Sequence, residues 1–505
     1  MNLSTFLDHW SIAENPFRAE EARHDSVFAR LGSHTTAHPD FEKILGDPAR
    51  PSTAIVFGEK GSGKTAIRLQ IAERVRAHNE SVQSGRVLLV AYDDLNPFLD
   101  RLAERAGLTP SDATPGELLS VLEGIRLVDH IDGILHAGIT PFVDALIAQN
   151  SRELHQRARA APISARRDLY LLAALYDLSG DTRLRMKALR KRLKVRRNTV
   201  ALWWRVACLF GWILPAAVAY AHLKWTPDPL PAKAVWYAYG VAVALWAIPL
   251  FKWAFWDRWR SSRLGRRLAR QLRSVPRGAE ELAAALEMLH PRDRDRTVLP
   301  FSDSDDTRYA LLAKFRHAMA GMGVSGVMVL MDRLDEPTLI SGDPARMRAV
   351  VWPMFNNKFL QQEGIGFKML LPIELRHELF RERAGFFQEA RLDKQNMIER
   401  LAWTGATLYD LCNARLNACR AADAPAMSLA DMFDDEVSRA DIVDALDQMR
   451  QPRDAFKLLY QCMLEHCSNT PQEQSRWRIP RLTLDSVRRA QSERVEMFYR
   501  GVRPA

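Results

Sequence analysis

Gly58, Glu59, Lys60, Gly61, Ser62, Gly63, Lys64 and Thr65 have the types and spacing to grip a polyphosphate. The glycines let the backbone aim N–H groups at phosphate oxygens. Lys64 brings a charge for the β- and γ-phosphates, and the Thr65 hydroxyl brings a ligand for Mg²⁺. The pattern GxxxxGK[ST] carries that meaning between a strand and a helix. Both neighbours are present. Thr53–Phe57 (TAIVF) reads as a short buried strand, and the run AIRLQIAERVRAH from Ala66 reads as a helix. The start of that helix adds partial positive charge at the same point. The cofactors this chemistry asks for are ATP and Mg²⁺. The chain shows no guanine-reading N/TKxD motif, which favours ATP over GTP.

Such a loop needs an acidic partner. Gly326–Met331 (GVMVLM) is wholly apolar, as a central parallel strand is, and it runs into Asp332-Arg333-Leu334-Asp335-Glu336-Pro337. An Asp at the end of a buried strand can hold Mg²⁺, which gives Asp332 that role. Asp335 or Glu336 could polarise an attacking water as general base. The competing reading is that these carboxylates only cap a solvated turn.

Two other stretches must be positioned by something besides water. Val206–Ala221 and Ala234–Phe251 contain no charged residue, and with Leu202–Trp204 and a snorkelling Arg205 the first approaches one bilayer crossing. A link with three prolines, HLKWTPDPLPAK, joins them. Nine of the 13 Trp fall between Trp203 and Trp259, in the manner of an interfacial belt. Arg183–Arg197 carries nine Lys/Arg and no acid, and Lys252–Arg273 carries eight with one acid. These two segments hold +16, so the remainder of the chain is near −6 against a net +10. The basic excess therefore brackets the apolar region and predicts a two-span hairpin with both flanks, and both termini, in the cytoplasm. A pair of buried core helices is the plainer alternative.

Other chemistries find little footing. Five cysteines without a CxxC pair suit a reducing compartment, and the first residues, MNLSTFLDHWSIAENPF, lack the basic and apolar regions of a signal peptide. The 13 His form no HExxH, and Cys462 and Cys467 read as core or surface thiols of one helical segment. No winged-helix or zinc-finger signature accompanies the positive charge, so nucleic acid is disfavoured as a partner.

A phosphate loop, then a membrane hairpin, then an apolar strand ending in D-x-L-D resembles the KAP family of P-loop NTPases, within the wider AAA+ and STAND-like ATPases. The resemblance spans roughly Asn15 to Tyr499. It implies an α/β P-loop NTPase fold with a central parallel sheet, an inserted transmembrane hairpin and a C-terminal helical lid. Family members usually read D-D-L-D-R at the acidic motif; here Arg333 takes the second position and Glu336 follows Asp335. The family order then predicts strands at Arg86–Tyr92, Gly366–Leu371 and Met397–Trp403. It predicts helices through Asp93–Val200, a basic helix over Arg258–Leu289, and a lid from Thr407. Sensor 1 would fall in Pro372–Arg376. Arg453, opening a helix after Gln451-Pro452, would be the sensor 2 that reaches the γ-phosphate. Glu14–Phe17 would pack near adenine, and Arg376, Arg381 and Arg383 are candidate arginine fingers toward a neighbouring subunit.

The implied organisation is 1–100 and 256–405 for the two parts of the NTPase core, 101–200 for a helical insertion, 201–255 for the hairpin and 406–505 for the lid. The implied function is an ATP-hydrolysing switch or scaffold at a bacterial inner membrane, including roles in phage defence. It would act as a homo-oligomer or with another protein partner. Competing functions are an ATP-driven transporter or pore, and a nucleic-acid ATPase. Two spans without a central charge give the transporter no substrate path of their own.

Overall fold

The computed structural model describes residues 1–18, 22–32, 38–109, 113–148, 152–177, 181–196, 199–225, 232–295, 298–471, 473 and 476–499. The chain folds as two compact units, Met1–Leu95 with Ser325–Ala505, and Asn96–Val324.

The first unit is α/β. Its strands are β1 Ala54–Gly58, β2 Arg86–Ala91, β3 Val324–Met331, β4 Ile365–Pro372 and β5 Asn396–Ile398. They form one sheet in the order β2-β3-β4-β1-β5, with β1–β4, β1–β5 and β3–β4 registered in parallel. Continuous burial explains the unbroken apolar runs: β1 and β4 are buried throughout, β3 from Gly326 onward. In the register, Gly58 stands beside Pro372 and Met331 beside Met369. β1 and β3 therefore end at one edge of the sheet with β4 alone between them. The fifth strand is a correction: it covers 396–398 rather than 397–403, because the chain leaves the sheet at Glu399.

Val56, Ile67, Ile71, Met328, Leu330, Leu370 and Ile398 form the core between this sheet and the Lys64–Ser81 helix. A separate helical core contains Phe6, Leu408, Cys412, Leu416, Leu446, Leu458, Cys462 and Met463. Its helices include Gly405–Ala418, capped by the Thr404 hydroxyl, and Pro452–Asn469, which opens with Pro at its first position.

The second unit is helical among its described residues. The Leu127–Ile147 helix is almost wholly buried, packed by Ile163–Tyr176, Thr182–Leu193 and Asp305–Gly321. Charges inside it are paired. Asp132 meets Arg308 at 3.1 Å and accepts the Tyr176 hydroxyl at 2.7 Å, with both charged side chains fully buried. Asp129 holds Arg273 through Nε at 3.1 Å and receives a second bond from its terminal nitrogen.

Two helical stretches of this unit are long and apolar enough to cross a membrane. Leu202–Lys224 has mean hydropathy 1.7 and Trp236–Gln271 has 1.5, and only 6% and 11% of their apolar windows are buried. They run side by side. Lys252 lies over the Trp204 ring at 4.8 Å, and the Trp246 indole donates to the Cys208 carbonyl at 3.1 Å. Gly211 breaks the first stretch where Trp246 leans in; a Cβ there would come within 2.5 Å of the indole. Residues 226–231 of the proline-rich link lie outside the described residues.

The expected basic helix over Arg258–Leu289 is corrected to two. Asp257–Gln271 ends before Pro276 and Gly278, and Ala279–Met288 folds back on it. Pro276 removes a donor and biases Val275 away from helix, which is what divides the run. Ser261, Gly265 and Leu268 face that partner, while Arg258, Arg263, Arg266, Arg267 and Arg270 stay exposed.

Candidate functional site

The loop after β1 turns tightly enough to need its glycines. Gly61 and Gly63 sit at φ of 97° and 98°, in the left-handed region that side chains disfavour. Ser62 closes the turn, its hydroxyl donating to the Glu59 carbonyl at 2.8 Å. Gly63 begins the Lys64–Ser81 helix without a side-chain cap. The first N–H groups of that helix therefore keep their capacity for an anion.

Lys64 folds back over the loop, its ammonium donating to the carbonyls of Gly58 at 2.6 Å and Glu59 at 2.9 Å. Burial pulls its pKa below the ordinary lysine value, opposed by the charges of Asp335, Asp332, Glu374 and Glu59. The Thr65 hydroxyl donates to Asp332 Oδ2 at 3.3 Å across 267 residues of chain. Asp332 is 1% exposed, and burial pushes its carboxyl up, against the Arg333 N–H and the charges of Arg68, Lys64 and Arg333.

The two candidate bases differ in their commitments. Glu336 is largely exposed and binds Arg333 at 2.9 Å. Asp335 is half-buried, lines the cavity beside the loop, and is the foremost charge opposing the pKa drop of Lys64. Arg333 adopts φ of 58° and points a second nitrogen at Asp93, 3.4 Å away.

The segment after β5 and the start of the Pro452–Asn469 helix reach the loop. Trp403 donates its indole N–H to the Ser62 carbonyl at 2.8 Å. Glu59 accepts from Arg400 at 2.8 Å and from the Gln451 amide. Arg453 presses on Gly61, where an added Cβ would meet its own Cβ at 3.1 Å. Its Nε is buried and without a hydrogen-bond partner among the described residues. Lys60 remains exposed on the rim.

These groups line a cavity of about 590 Å³, within the range that small-molecule sites occupy. Besides Gly61, Gly63, Lys64, Thr65, Asp332, Asp335 and Arg453, it is walled by Phe28, Ile67, Leu411 and Phe456. Phe456 stacks on Phe17 at 6.2 Å, and Arg415 covers it at 4.4 Å while bound to Asp25 at 2.6 Å and to the Pro16 carbonyl at 2.9 Å. The Glu14–Phe17 segment thus braces the apolar wall. Glu374, from the region where sensor 1 was expected, acts on Lys64 only as a neighbouring charge. Arg376, Arg381 and Arg383 do not line the cavity; the first two are paired with Glu399 and Glu378, each at 2.8 Å.

The donor set suits a hard cation and an anion together. Thr65 and Asp332 offer oxygen ligands of the kind Mg²⁺ takes. Among the described residues no group of three or more His, Cys, Asp or Glu could hold a metal alone, so a cation here needs further oxygens from water or a bound phosphate. Sequence reasoning missed Asp93 and Arg68. Arg68 binds Asp93 and lies 3.6 Å from Asp332, joining the end of β2 to the end of β3. The signal was available, since Asp93 follows its strand much as Asp332 follows β3. Trp403 and Gln451 had no such signal. No protein-family model, curated protein or solved structure matches the chain.

Proposed function

We propose that the sheet-bearing unit binds and hydrolyses ATP with Mg²⁺, as a switch that the apolar hairpin tethers to a membrane. One observation carries the reading: the Thr65–Asp332 hydrogen bond, set beside Lys64 at an uncapped helix start. Distant segments converge there on the carboxyl ends of parallel strands, the edge at which open α/β sheets bind ligands.

Each residue then has a task. Lys64 and the first N–H groups of its helix hold phosphate oxygens. Thr65 and Asp332 hold Mg²⁺, which when bound neutralises phosphate charge. Asp335 takes the proton of the attacking water; Glu336, committed to Arg333, is the weaker choice. Arg453, the orphaned Nε at Gly61, donates to the same ligand. Because Arg453 and Gln451 both belong to the start of the Pro452–Asn469 helix, the placing of the C-terminal helices follows what the loop holds.

The test is Mg²⁺-dependent ATP binding and turnover by the full chain in detergent or nanodiscs. Lys64→Ala should weaken binding by about 100-fold, as expected when a charged hydrogen-bond donor is lost. Asp332→Asn should abolish the Mg²⁺ dependence. Undiminished, magnesium-dependent binding by both variants would sink the proposal.

A further inference from the structure

We infer that Arg258 and Arg263 hold the headgroups of anionic phospholipids where the longer apolar helix leaves the membrane. The inference rests on the membrane reading of the hairpin above and adds to it the class of lipid.

The length of the Trp236–Gln271 helix fixes the depth of each residue. A hydrocarbon core of about 30 Å takes about 20 residues at 1.5 Å each. A core entered at Trp236, which is 76% exposed, is therefore left near Trp256. Phe251, Phe255, Trp256 and Trp259 make an exposed aromatic collar around that point, as residues of the interface do. Phe251 stacks on Phe255 at 5.8 Å, and Trp256 packs on Trp259 at 5.4 Å. Headgroups form the next layer, about 5–8 Å deep on each side.

Two arginines are held at that level. Arg263 leans back one turn, its guanidinium 5.2 Å from the centre of the Trp259 ring. Trp259 lies three residues past Trp256, about 4.5 Å along the axis, which is inside the headgroup layer. Arg258 leans back across the π turn onto Trp253, at 5.6 Å. A guanidinium that rests its face on a ring keeps its N–H edge for a phosphate. Both arginines are exposed, and neither is ion-paired with a carboxylate among the described residues.

Charge then selects the lipid. Arg258, Arg263, Arg266, Arg267 and Arg270 are all exposed on this helix. The nearby acid, Asp257, is bound by Lys252 at 3.1 Å. A zwitterionic headgroup answers its phosphate with its own ammonium, whereas an anionic one leaves a net charge for the arginines. Depth limits which of them make contact. Arg270 is 14 residues past Trp256, about 21 Å along the axis, and clear of the headgroup layer. A nucleic acid would need the run clear of the bilayer, but Arg258 and Arg263 are stacked on the collar, which favours lipid.

The experiment presents the full chain in neutral detergent micelles with equal phosphatidylglycerol and phosphatidylcholine, and counts the retained lipids by native mass spectrometry. Wild type should retain phosphatidylglycerol over phosphatidylcholine at least about fivefold, the worth of one basic residue at an anionic surface. The double variant Arg258→Gln, Arg263→Gln should bring that ratio close to one. Its phosphatidylcholine should stay at the wild-type level, which shows that the hairpin is intact. Arg258→Lys with Arg263→Lys should keep most of the preference. Arg270→Gln, which removes the same kind of charge out of reach of the headgroups, should keep all of it. Equal retention of the two lipids by wild type would overturn the inference. So would a ratio unmoved in the double Gln variant, or one that falls as far in Arg270→Gln or in the double Lys variant. Duplex DNA captured by wild type and released by the double Gln variant, with no lipid preference, would assign the arginines to nucleic acid and overturn it too. A full chain that stays monodisperse without detergent and retains neither lipid would instead overturn the membrane reading itself.

Discussion

The two units set their buried charges in different surroundings. In the helical unit Asp132, Arg308 and Tyr176 satisfy one another, and Asp129 is held by Arg273. In the sheet-bearing unit Lys64, Asp332, Asp335 and Arg453 line one cavity, and the buried Arg453 Nε has no hydrogen-bond partner among the described residues. Burial pushes the Asp132 carboxyl up to about 6 even with Arg308 beside it, yet that group does not line the cavity beside the loop. A shifted pKa therefore does not separate a site from a scaffold. What separates them is whether the polar groups close on themselves or converge on empty volume.

That contrast can be broken by substitution, starting with the largest effect. Asp335→Asn should lower ATP turnover by about 10²- to 10⁴-fold, the usual worth of a general base, with Mg-ATP affinity retained. Unchanged turnover would remove Asp335 from the chemistry. Arg308→Leu leaves Asp132 as an uncompensated buried charge and should cost about 3–5 kcal/mol of stability. Chemical unfolding of the full chain reads this, and Mg-ATP affinity below the transition should not move. A neutral outcome would mean that the helical network is not structural.

Lys368 supplies a pH-dependent test. It is fully buried in β4, donates to the Ser52 carbonyl at 2.7 Å, and burial pulls its pKa down from 10.5 to about 7. Between about pH 7 and 10.5 the unfolded chain holds this proton and the folded chain does not. Stability should therefore rise with pH across that window and level off above it. Lys368→Met should flatten the rise; a slope that persists would assign it to other groups. The smallest effect belongs to Trp403→Phe, which removes the bond to the Ser62 carbonyl. It should cost about 1 kcal/mol of stability, read as a small drop in the unfolding midpoint; an unmoved midpoint would leave that bond without a structural role.

Legibility in the sequence followed the same divide. β1 to β4 lie within two residues of their expected spans because central parallel strands are apolar without interruption. The juxtaposition of Thr65 and Asp332 was readable because each sits where a buried strand ends. β5 was overextended, since three residues are too few for a pattern. The break after Gln271 was missed because the basic run appeared continuous, although Pro276 and Gly278 held the signal. Trp403 reaches the cavity and Arg68 reaches Asp332 through tertiary packing, and no local pattern distinguishes a Trp or Arg that faces a site from one that faces water.

The Trp236–Gln271 helix has a mechanical consequence. Its 36 residues make a rod of about 54 Å, against a hydrocarbon slab of about 30 Å. Within it, Lys252–Trp256 forms a wider π turn, just past the apolar stretch and before the arginine-bearing part. Such a turn accommodates one extra residue, and each residue is about 100° of rotation. Deleting a single residue there would restore ordinary winding and leave the arginine stripe in phase with the apolar stretch, whereas deleting one elsewhere along the helix would swing the stripe by about 100°. That short segment is therefore where the rod can gain or lose one residue without turning its two ends against each other.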